Sequence, residues 1–254
     1  MCIRDSPYAY GIPVLFPANR IAGGEYSYDG VTYRFPQNYP NGVHIHGVVH
    51  NRAWRLAETE TCDGEARATF ELSTKDPSLR THFPIDLTLR LKCVLNKNGL
   101  LQRFVLCNES DVTMPFGLAY HTAFRVPFVQ GGQASDVRLR LPLEGLCADD
   151  PVDRLPSGNV RPLSRYESGF TSPAGEDPLK APLDALYKAC LLYTSGKAGF
   201  AFALAAHCRI RFPSTGFLTA VYRLASFSNR LPFAVFLSCF FHSMACLLYT
   251  SRCV

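Results

Sequence analysis

The chain has 254 residues, of which 47% are hydrophobic and 19% are charged, and these values exclude a disordered or collagen-like protein. Its net charge of +5 hides an uneven distribution, because all 21 acidic residues lie between Asp5 and Asp184. Residues 185–254 hold seven basic residues and no acidic one, which indicates a change in the character of the chain near residue 185.

Short segments in which apolar and polar residues alternate predict β-strands through the first 184 residues. In chain order, the predicted elements are a hairpin over Glu25–Tyr33 with Asp29-Gly30 at its tip, strands over Ala68–Thr74 and Asp86–Leu95, a tight turn at Asn98-Gly99, and a return strand from Leu100 to about Asn108. Many short strands joined by such turns are typical of an all-β antiparallel sandwich.

The first candidate for chemistry is Arg20, which follows Phe16-Pro17-Ala18-Asn19 and precedes the Gly23-Gly24 pair. An arginine between an apolar strand and a glycine turn can present its fixed fork of donors to a hydroxylated ligand. On this signal alone, Arg20 is equally an ordinary surface arginine.

A second candidate is the run His44-Ile45-His46-Gly47, followed by His50 and Trp54. Alternation along an extended segment places His44 and His46 on one face, where they are spaced for metal binding as in cupins. The cupin pattern also expects a carboxylate a few residues on, and positions 47–57 contain none. Trp54, the one tryptophan of the chain, can stack on the apolar face of a sugar or belong to the core.

The third candidate is His121, within the segment MPFGLAYHTAF. A histidine among aromatic residues and glycine can act as a desolvated acid or base near neutral pH. The alternative is a histidine of the core whose hydrogen bonds are satisfied.

An exact repeat explains the change near residue 185, because CLLYTS at residues 190–195 recurs at residues 246–251 in unrelated surroundings. Both copies resemble a translated sequencing adapter, and MCIRDS at residues 1–6 resembles its opposite strand. We therefore predict an adapter-like artefact at residues 1–6, one partial β-sandwich domain at residues 7–189, and a non-native tail of adapter-like repeats and out-of-frame sequence at residues 190–254.

The tail also contains an uncharged run from Leu231 to Ser251 that is long enough to cross a bilayer. Pro232, Ser238 and His242 interrupt it, so we predict no membrane span. The cysteines of the native part are Cys62, Cys93, Cys107 and Cys147, and they show neither CxxC spacing nor the density of a disulfide framework. Thiols of this kind favour a reducing, cytoplasmic compartment.

Taken together, the motifs of Pro7–Asp184 resemble the aldose 1-epimerases, also called galactose mutarotases. The segments that carry the resemblance are GIPVLFPANRI, YDGVTYRFPQNYPNGVHIHGVVHNRAW and NESDVTMPFGLAYHTAFRVPF, in the order that the family has them. The resemblance implies a galactose-mutarotase-like β-sandwich, incomplete in this chain. It also implies a reaction that interconverts the α and β anomers of a hexose and needs no cofactor or metal.

The resemblance assigns a role to four residues. Arg20 would hold the sugar, His46 would bind and polarise it, and His121 would be the general acid facing the ring oxygen. Asp184 lies where the family has an aspartate that binds sugar hydroxyls. The general base of the family is a glutamate near the end of the fold, and no carboxylate follows Asp184. The resemblance therefore predicts that the chain lacks half of its acid–base pair and is inactive.

Two other readings stay open at the level of sequence. In the first, the chain is a non-catalytic carbohydrate-binding sandwich that uses Arg20, His46 and Trp54. In the second, His44, His46 and His50 ligate a metal in a cupin-like protein. Within the mutarotase reading, Arg52 and Arg55 can hold a phosphate and favour a sugar phosphate, or they form an ordinary solvated edge. No nucleic-acid partner is expected, and the oligomeric state is open.

Overall fold

Short β-strands dominate the computed structural model, which describes residues 13–115, 117–124, 131–141, 143–180, 184–189, 208–212, 216–220, 223–224, 235–240 and 244–250. Up to residue 189 the strands are β1 (Val14–Leu15), β2 (Arg20–Ile21), β3 (Glu25–Tyr28), β4 (Val31–Arg34), β5 (His44–Ile45), β6 (Arg55–Cys62), β7 (Glu65–Ser73), β8 (Leu87–Asn96), β9 (Gly99–Asn108), β10 (Ala119–Tyr120), β11 (Thr122–Phe124), β12 (Arg138–Arg140), β13 (Leu143–Asp149), β14 (Pro156–Arg161) and β15 (Asp184–Ala189). Helices α1 (Pro77–Arg80) and α2 (Arg165–Gly169) are short, as are the 3-10 turns Ala22–Gly24, Pro40–Gly42 and Ala134–Asp136. The predicted all-β class is confirmed.

Five further strands lie beyond residue 190: β16 (Cys208–Phe212), β17 (Gly216–Ala220), β18 (Arg223–Leu224), β19 (Val235–Phe240) and β20 (Met244–Thr250). Four of their backbones pair with the preceding part of the chain, β16 with β12, β18 with β9, β19 with β15 and β20 with β11, and β17 pairs with β16. The first copy of CLLYTS and residues 1–6 lie outside the described residues. The assignment of residues 190–254 to a non-native tail stays a prediction. No helix in the described part of the chain is long and apolar enough to cross a membrane.

One sheet is an antiparallel meander of β6, β7, β8 and β9, with β18 added at its edge next to β9. Leu87 and Leu89 on β8 are fully buried, and the burial fades toward the β8–β9 turn, where Leu95 is 55% exposed. Asn96 pairs with Gly99, so the turn residues are Lys97 and Asn98, one position earlier than predicted. The reason is local: the Asn96 side chain accepts a hydrogen bond from the backbone N–H of Asn98 at 2.9 Å and closes the turn there.

The hairpin predicted near the N-terminus is confirmed. Strands β3 and β4 pair from Glu25 with Arg34 to Tyr28 with Val31. The tip residues Asp29 and Gly30 have φ values of 49° and 76°, the left-handed pair that a tight two-residue hairpin requires.

One extended segment, residues 13–20, joins the two regions that contain His46 and His121. At its beginning, β1 pairs with β10, and Pro13 O accepts a hydrogen bond from the backbone N–H of His121 at 3.0 Å. At its end, β2 pairs with β5, and Asn19 O accepts from the backbone N–H of His46 at 3.0 Å. We call residues 13–20 the central segment. Because it bonds to both, the two histidines meet although they are 75 positions apart in the sequence.

The central segment is held in place by its aromatic side chain. Phe16 is 1% exposed and stacks on Phe83 with ring centroids 5.1 Å apart, and Phe104 lies at 6.0 Å. Burial of one such side chain stabilises the fold by about 1.5–3 kcal/mol. Packing in the main core therefore fixes the register of the segment that positions the histidines.

Gly47 allows the backbone after His46 to approach the backbone of the central segment closely. Gly47 has a φ of 68°, and a Cβ there would lie 2.5 Å from the Pro17 carbonyl oxygen and as close to the Phe16 carbonyl. Contacts this short are excluded, so the backbone after His46 packs directly on that of residues 16–17. The backbone N–H of Val48 then donates to Phe16 O at 3.0 Å.

A buried carboxylate ties together β14, α2 and β15. Glu167 is 5% exposed and accepts hydrogen bonds from Arg161 at 2.9 and 3.0 Å and from the Tyr187 hydroxyl at 2.9 Å. It also forms a capping box with Ser164 at the start of α2. Burial alone would raise its pKa, but these donors outweigh burial and lower the pKa to about 2.

Replacement of Gly47 by alanine is expected to lower the free energy of unfolding by about 2–4 kcal/mol, because it adds a backbone clash to the cost of a positive φ. Gly30→Ala is the matched control: Gly30 has a similar φ of 76° but no atom within 4 Å of a new Cβ, so about 1 kcal/mol is expected. Urea denaturation of both variants measures the difference, and equal losses would show that the segments can separate at no cost.

Glu167→Gln is expected to cost about 1–3 kcal/mol in the free energy of unfolding, since it weakens every charged hydrogen bond of the cluster. The control is Glu144→Gln, which removes an exposed ion pair to Lys188 on the neighbouring strands and should change stability by under about 1 kcal/mol. Thermal or urea unfolding compares the two. A loss at Glu144 as large as that at Glu167 contradicts the anchoring role of the buried cluster.

Candidate active site

His46 occupies a strained bend at the end of β5. It has a φ of 70°, and the next residue, Gly47, is also left-handed, so the chain turns sharply away from the strand. A left-handed histidine is uncommon and is retained where the surroundings fix it. Asn38 does so: its side chain accepts from the Ile45 N–H at 2.8 Å and donates to the Ile45 carbonyl at 3.1 Å, as a neighbouring strand would.

The structure brings His46 and His121 into contact. Their ring centroids lie 5.2 Å apart and the ring planes are nearly perpendicular, at 87°. Both backbones are anchored on the central segment, so the pair does not depend on a loop for its geometry. Two imidazoles in edge-to-face contact can address two neighbouring polar atoms of one small ligand.

Arg20 joins this pair through β2, where it lies directly opposite Ile45. Its guanidinium carbon lies 5.0 Å from the centre of the Tyr39 ring, and Nη1 donates to the Asn19 side chain at 3.3 Å. Its Nε is buried without a hydrogen-bond partner among the described residues. The arginine is thus oriented by an aromatic face and keeps donors for a ligand.

A cleft of about 450 Å³ opens beside His46, within the range of small-molecule sites. It is lined by Pro36, Asn38, Tyr39, Ile45, His46, Gly47, Val48, His50, Asn51, Arg52 and His82. None of these lining residues is a carboxylate. The cleft therefore offers imidazole, amide, phenol and guanidinium groups, a set suited to hydroxyl-rich ligands.

Several of the lining residues were not predicted as sugar-site residues. Asn38 and Tyr39 carried no sequence signal, and His82 lies 36 residues after His46. His82 is held by a hydrogen bond from Nδ1 to the Arg34 carbonyl at 2.8 Å and stacks on Phe35. His50 did carry a signal, because it follows His46 by four positions, but that spacing indicated a metal ligand.

Burial keeps the histidines of the site neutral. It lowers the pKa of His46 to about 3, with further lowering by the nearby His121, His50, Arg20 and His44. Burial also lowers the pKa values of His50 and His121. At neutral pH each imidazole therefore has one donor and one acceptor nitrogen.

Of the predicted site residues, His46 lines the cleft, whereas Arg20 and His121 lie near His46 and are not among the lining residues. Trp54 packs against the main core and its indole N–H donates to the Val49 carbonyl at 3.2 Å; it is not among the residues that line the cleft. That placement matches the core alternative for Trp54. The backbone of Asp184 begins β15, and its side chain lies outside the described residues. Its role in binding stays a prediction.

The geometry of His44 bears on the metal alternative. His44 is fully buried, its Nδ1 donates to the Pro36 carbonyl at 2.6 Å, and its ring stacks on Phe35 at 5.2 Å. Within the described ranges, no group of three His, Cys, Asp or Glu side chains is arranged to hold a metal ion. His44, His46 and His50 therefore do not form the ligand set that the cupin alternative requires.

Both arginines considered for phosphate binding have partners within the protein. Arg52 donates to the Val48 carbonyl at 2.7 Å and to the side chain and carbonyl of Ser78 at 2.5 and 3.1 Å. Arg55 pairs with Glu71 at 2.5 Å. Arg52 lines the cleft, but three of its nitrogen atoms donate hydrogen bonds within the protein, and these bonds hold the turn after His46 to α1.

Comparisons with known proteins agree with this architecture. The fold is similar to that of a galactose mutarotase-like protein from Clostridium acetobutylicum, with 22% identity, 97% of this chain and 70% of that chain covered, and a TM-score of 0.73. It is also similar to an aldose epimerase homologue from C. elegans (14% identity, 97% and 74% covered, TM-score 0.61). A third similar structure is galactose 1-epimerase from Lactobacillus acidophilus (17%, 98% and 80%, 0.53).

These structural likenesses establish the galactose-mutarotase-like sandwich. At the level of sequence, the family model described as Aldose 1-epimerase matches residues 2–226, most of the chain. The sequence match, the fold and the meeting of the motif histidines agree, and the chain belongs to the aldose 1-epimerase family.

Proposed function

We propose that the chain binds a hexose in the cleft beside His46 and that Arg20, His46 and His121 carry the interconversion of its anomers. The observation that supports this most directly is the contact between the His46 and His121 rings, at 5.2 Å, in a chain of the aldose 1-epimerase family. The two motif histidines meet beside an arginine whose Nε is buried and has no partner among the described residues.

The reaction needs two proton transfers. A base removes the proton of the anomeric hydroxyl, an acid protonates the ring oxygen, and the ring opens to an aldehyde that rotates and closes again as the other anomer. A positioned acid or base contributes about 10²–10⁴-fold to such a step. In our proposal the protonated form of His121, which burial makes the minor form at neutral pH, gives its proton to the ring oxygen and is left neutral. Neutral His46 donates a hydrogen bond to the same end of the sugar, and Arg20 holds hydroxyl groups.

The base is the part of the pair that we expect this sequence to lack. The resemblance implies a glutamate after Asp184, residues 185–254 contain no acidic residue, and none of the residues lining the cleft is a carboxylate. These observations favour a second candidate function, a carbohydrate-binding protein without catalysis. A cytoplasmic location is part of the proposal and is supported by the free thiols of Cys62, Cys93 and Cys107.

Polarimetry of freshly dissolved α-galactose or α-glucose tests the proposal. The chain is expected to give no acceleration over buffer, because loss of one member of an acid–base pair removes about 10²–10⁴ in rate. Formate, a carboxylate small enough to enter the cleft, is expected to restore part of the rate, and His121→Asn should abolish that rescue.

Each other outcome of this experiment has one meaning. Rapid mutarotation without added carboxylate would show that a base lies within the chain. Hexose binding without formate rescue would favour the non-catalytic candidate. No binding of hexose or hexose 6-phosphate would contradict both.

The neutral imidazole proposed for His46 also predicts how stability depends on pH. The folded pKa of about 3 lies below the ordinary value of 6.5, so between these values the unfolded chain binds a proton that the folded chain does not. The free energy of unfolding should therefore fall as the pH drops from 6.5 toward 3. His46→Gln should flatten this slope by up to about 1.4 kcal/mol per pH unit in urea titrations. Identical slopes would contradict a buried, neutral His46.

A further inference from the structure

His50 is a cleft residue that the proposed reaction does not use. It lies four positions after His46, within the turn that the Arg52 N–H closes by donating to the Val49 carbonyl, and it lines the cleft together with His46. It is near enough to His46, His121 and His44 that its charge would lower the pKa of each. His50 thus belongs to the imidazole cluster of the site.

One of the two ring nitrogen atoms of His50 lacks a hydrogen-bond partner in the described part of the chain. This atom, Nδ1, is buried, whereas the ring interacts with the backbone of His46. A buried polar atom without a partner costs about 1–3 kcal/mol, and such atoms are rare in folded proteins. Each such atom needs an explanation, and a bound ligand is one that fits a residue lining a cleft.

The backbone on both sides of His50 is fixed. Arg52 holds the turn by donating to the Val48 carbonyl and to Ser78 on α1, and Trp54 donates to the Val49 carbonyl. The backbone that carries the imidazole is therefore rigid, and moving the ring out of the cleft would break these hydrogen bonds. The side chains of specific binding sites are usually held in their binding geometry by neighbouring residues in this way.

We propose that His50 is a further substrate-binding residue, which exchanges hydrogen bonds with a ring hydroxyl of the sugar held against His46. This role rests on the proposed function, since it requires a hydroxyl-bearing ligand in the same cleft. A neutral imidazole has one donor nitrogen and one acceptor nitrogen, and a hydroxyl group, which both donates and accepts, can bond to either of them. Because a site built to bond a hydroxyl discriminates against an analogue that lacks it, His50 also selects among sugars.

Calorimetric titration with galactose, glucose and their monodeoxy analogues tests this role. One deoxy sugar is expected to bind wild-type protein about tenfold more weakly than the parent sugar. His50→Phe should bind the parent sugar as weakly as that deoxy analogue and should no longer distinguish the two. His50→Gln keeps a donor and an acceptor and should recover part of the difference.

His82→Phe is the matched control, because it removes an imidazole of the same cleft whose Nδ1 already donates to the Arg34 carbonyl. It should not reproduce the loss of discrimination against one deoxy sugar. If His50→Phe fails to fold, the ring-proton resonances of His50 in wild-type protein decide, and they are expected to shift when galactose is added.

The inference fails separately from the proposed function. Wild-type binding of a hexose with unchanged affinity and discrimination in His50→Phe, or with unshifted His50 resonances, would overturn the role of His50 and leave the proposed function intact. Failure of wild-type protein to bind any hexose would overturn the proposed function and the role of His50 with it.

Discussion

The site depends on one constraint, the hydrogen bonding of the central segment to two distant parts of the chain at once. Pro13 O holds the backbone of His121, Asn19 O holds that of His46, and Phe16 between them is locked in the core. Residues of a β-sandwich that are far apart in sequence are brought together through such shared neighbours. Phe16 packs on Phe83 and Phe104 in the core, so hydrophobic burial also fixes the segment that positions the imidazoles.

Burial then decides the chemistry that the imidazoles can perform. Near Arg20, a second positive charge would be repelled, and the protein around His46 offers little water to solvate one. His46 therefore acts as an oriented dipole that donates and accepts hydrogen bonds. A site of this kind gains specificity when each imidazole nitrogen bonds to a hydroxyl group of a neutral ligand. A ligand that lacks one of these hydroxyl groups leaves a buried nitrogen without a hydrogen-bond partner.

Local signals predicted the parts of the fold that local interactions determine. The Asp29-Gly30 hairpin formed as predicted because its turn residues alone require it, whereas the second turn shifted when the side chain of Asn96 closed it one residue early. Motif order predicted that Arg20, His46 and His121 are site residues. The sequence could not indicate that His82 and Asn38 line the same cleft, since their positions arise only from packing against Phe35 and pairing with Ile45.

The bond between Arg52 and Ser78 has a dynamic consequence. Helix α1 has only four residues, too few to persist alone, and it depends on a cap from Asp76 and on the buried side chain of Leu79. Since Arg52 ties the turn of His50 to that helix, we expect the turn and α1 to open together in local unfolding. Binding of a ligand in the cleft should then slow the exchange of the α1 amide hydrogens with solvent.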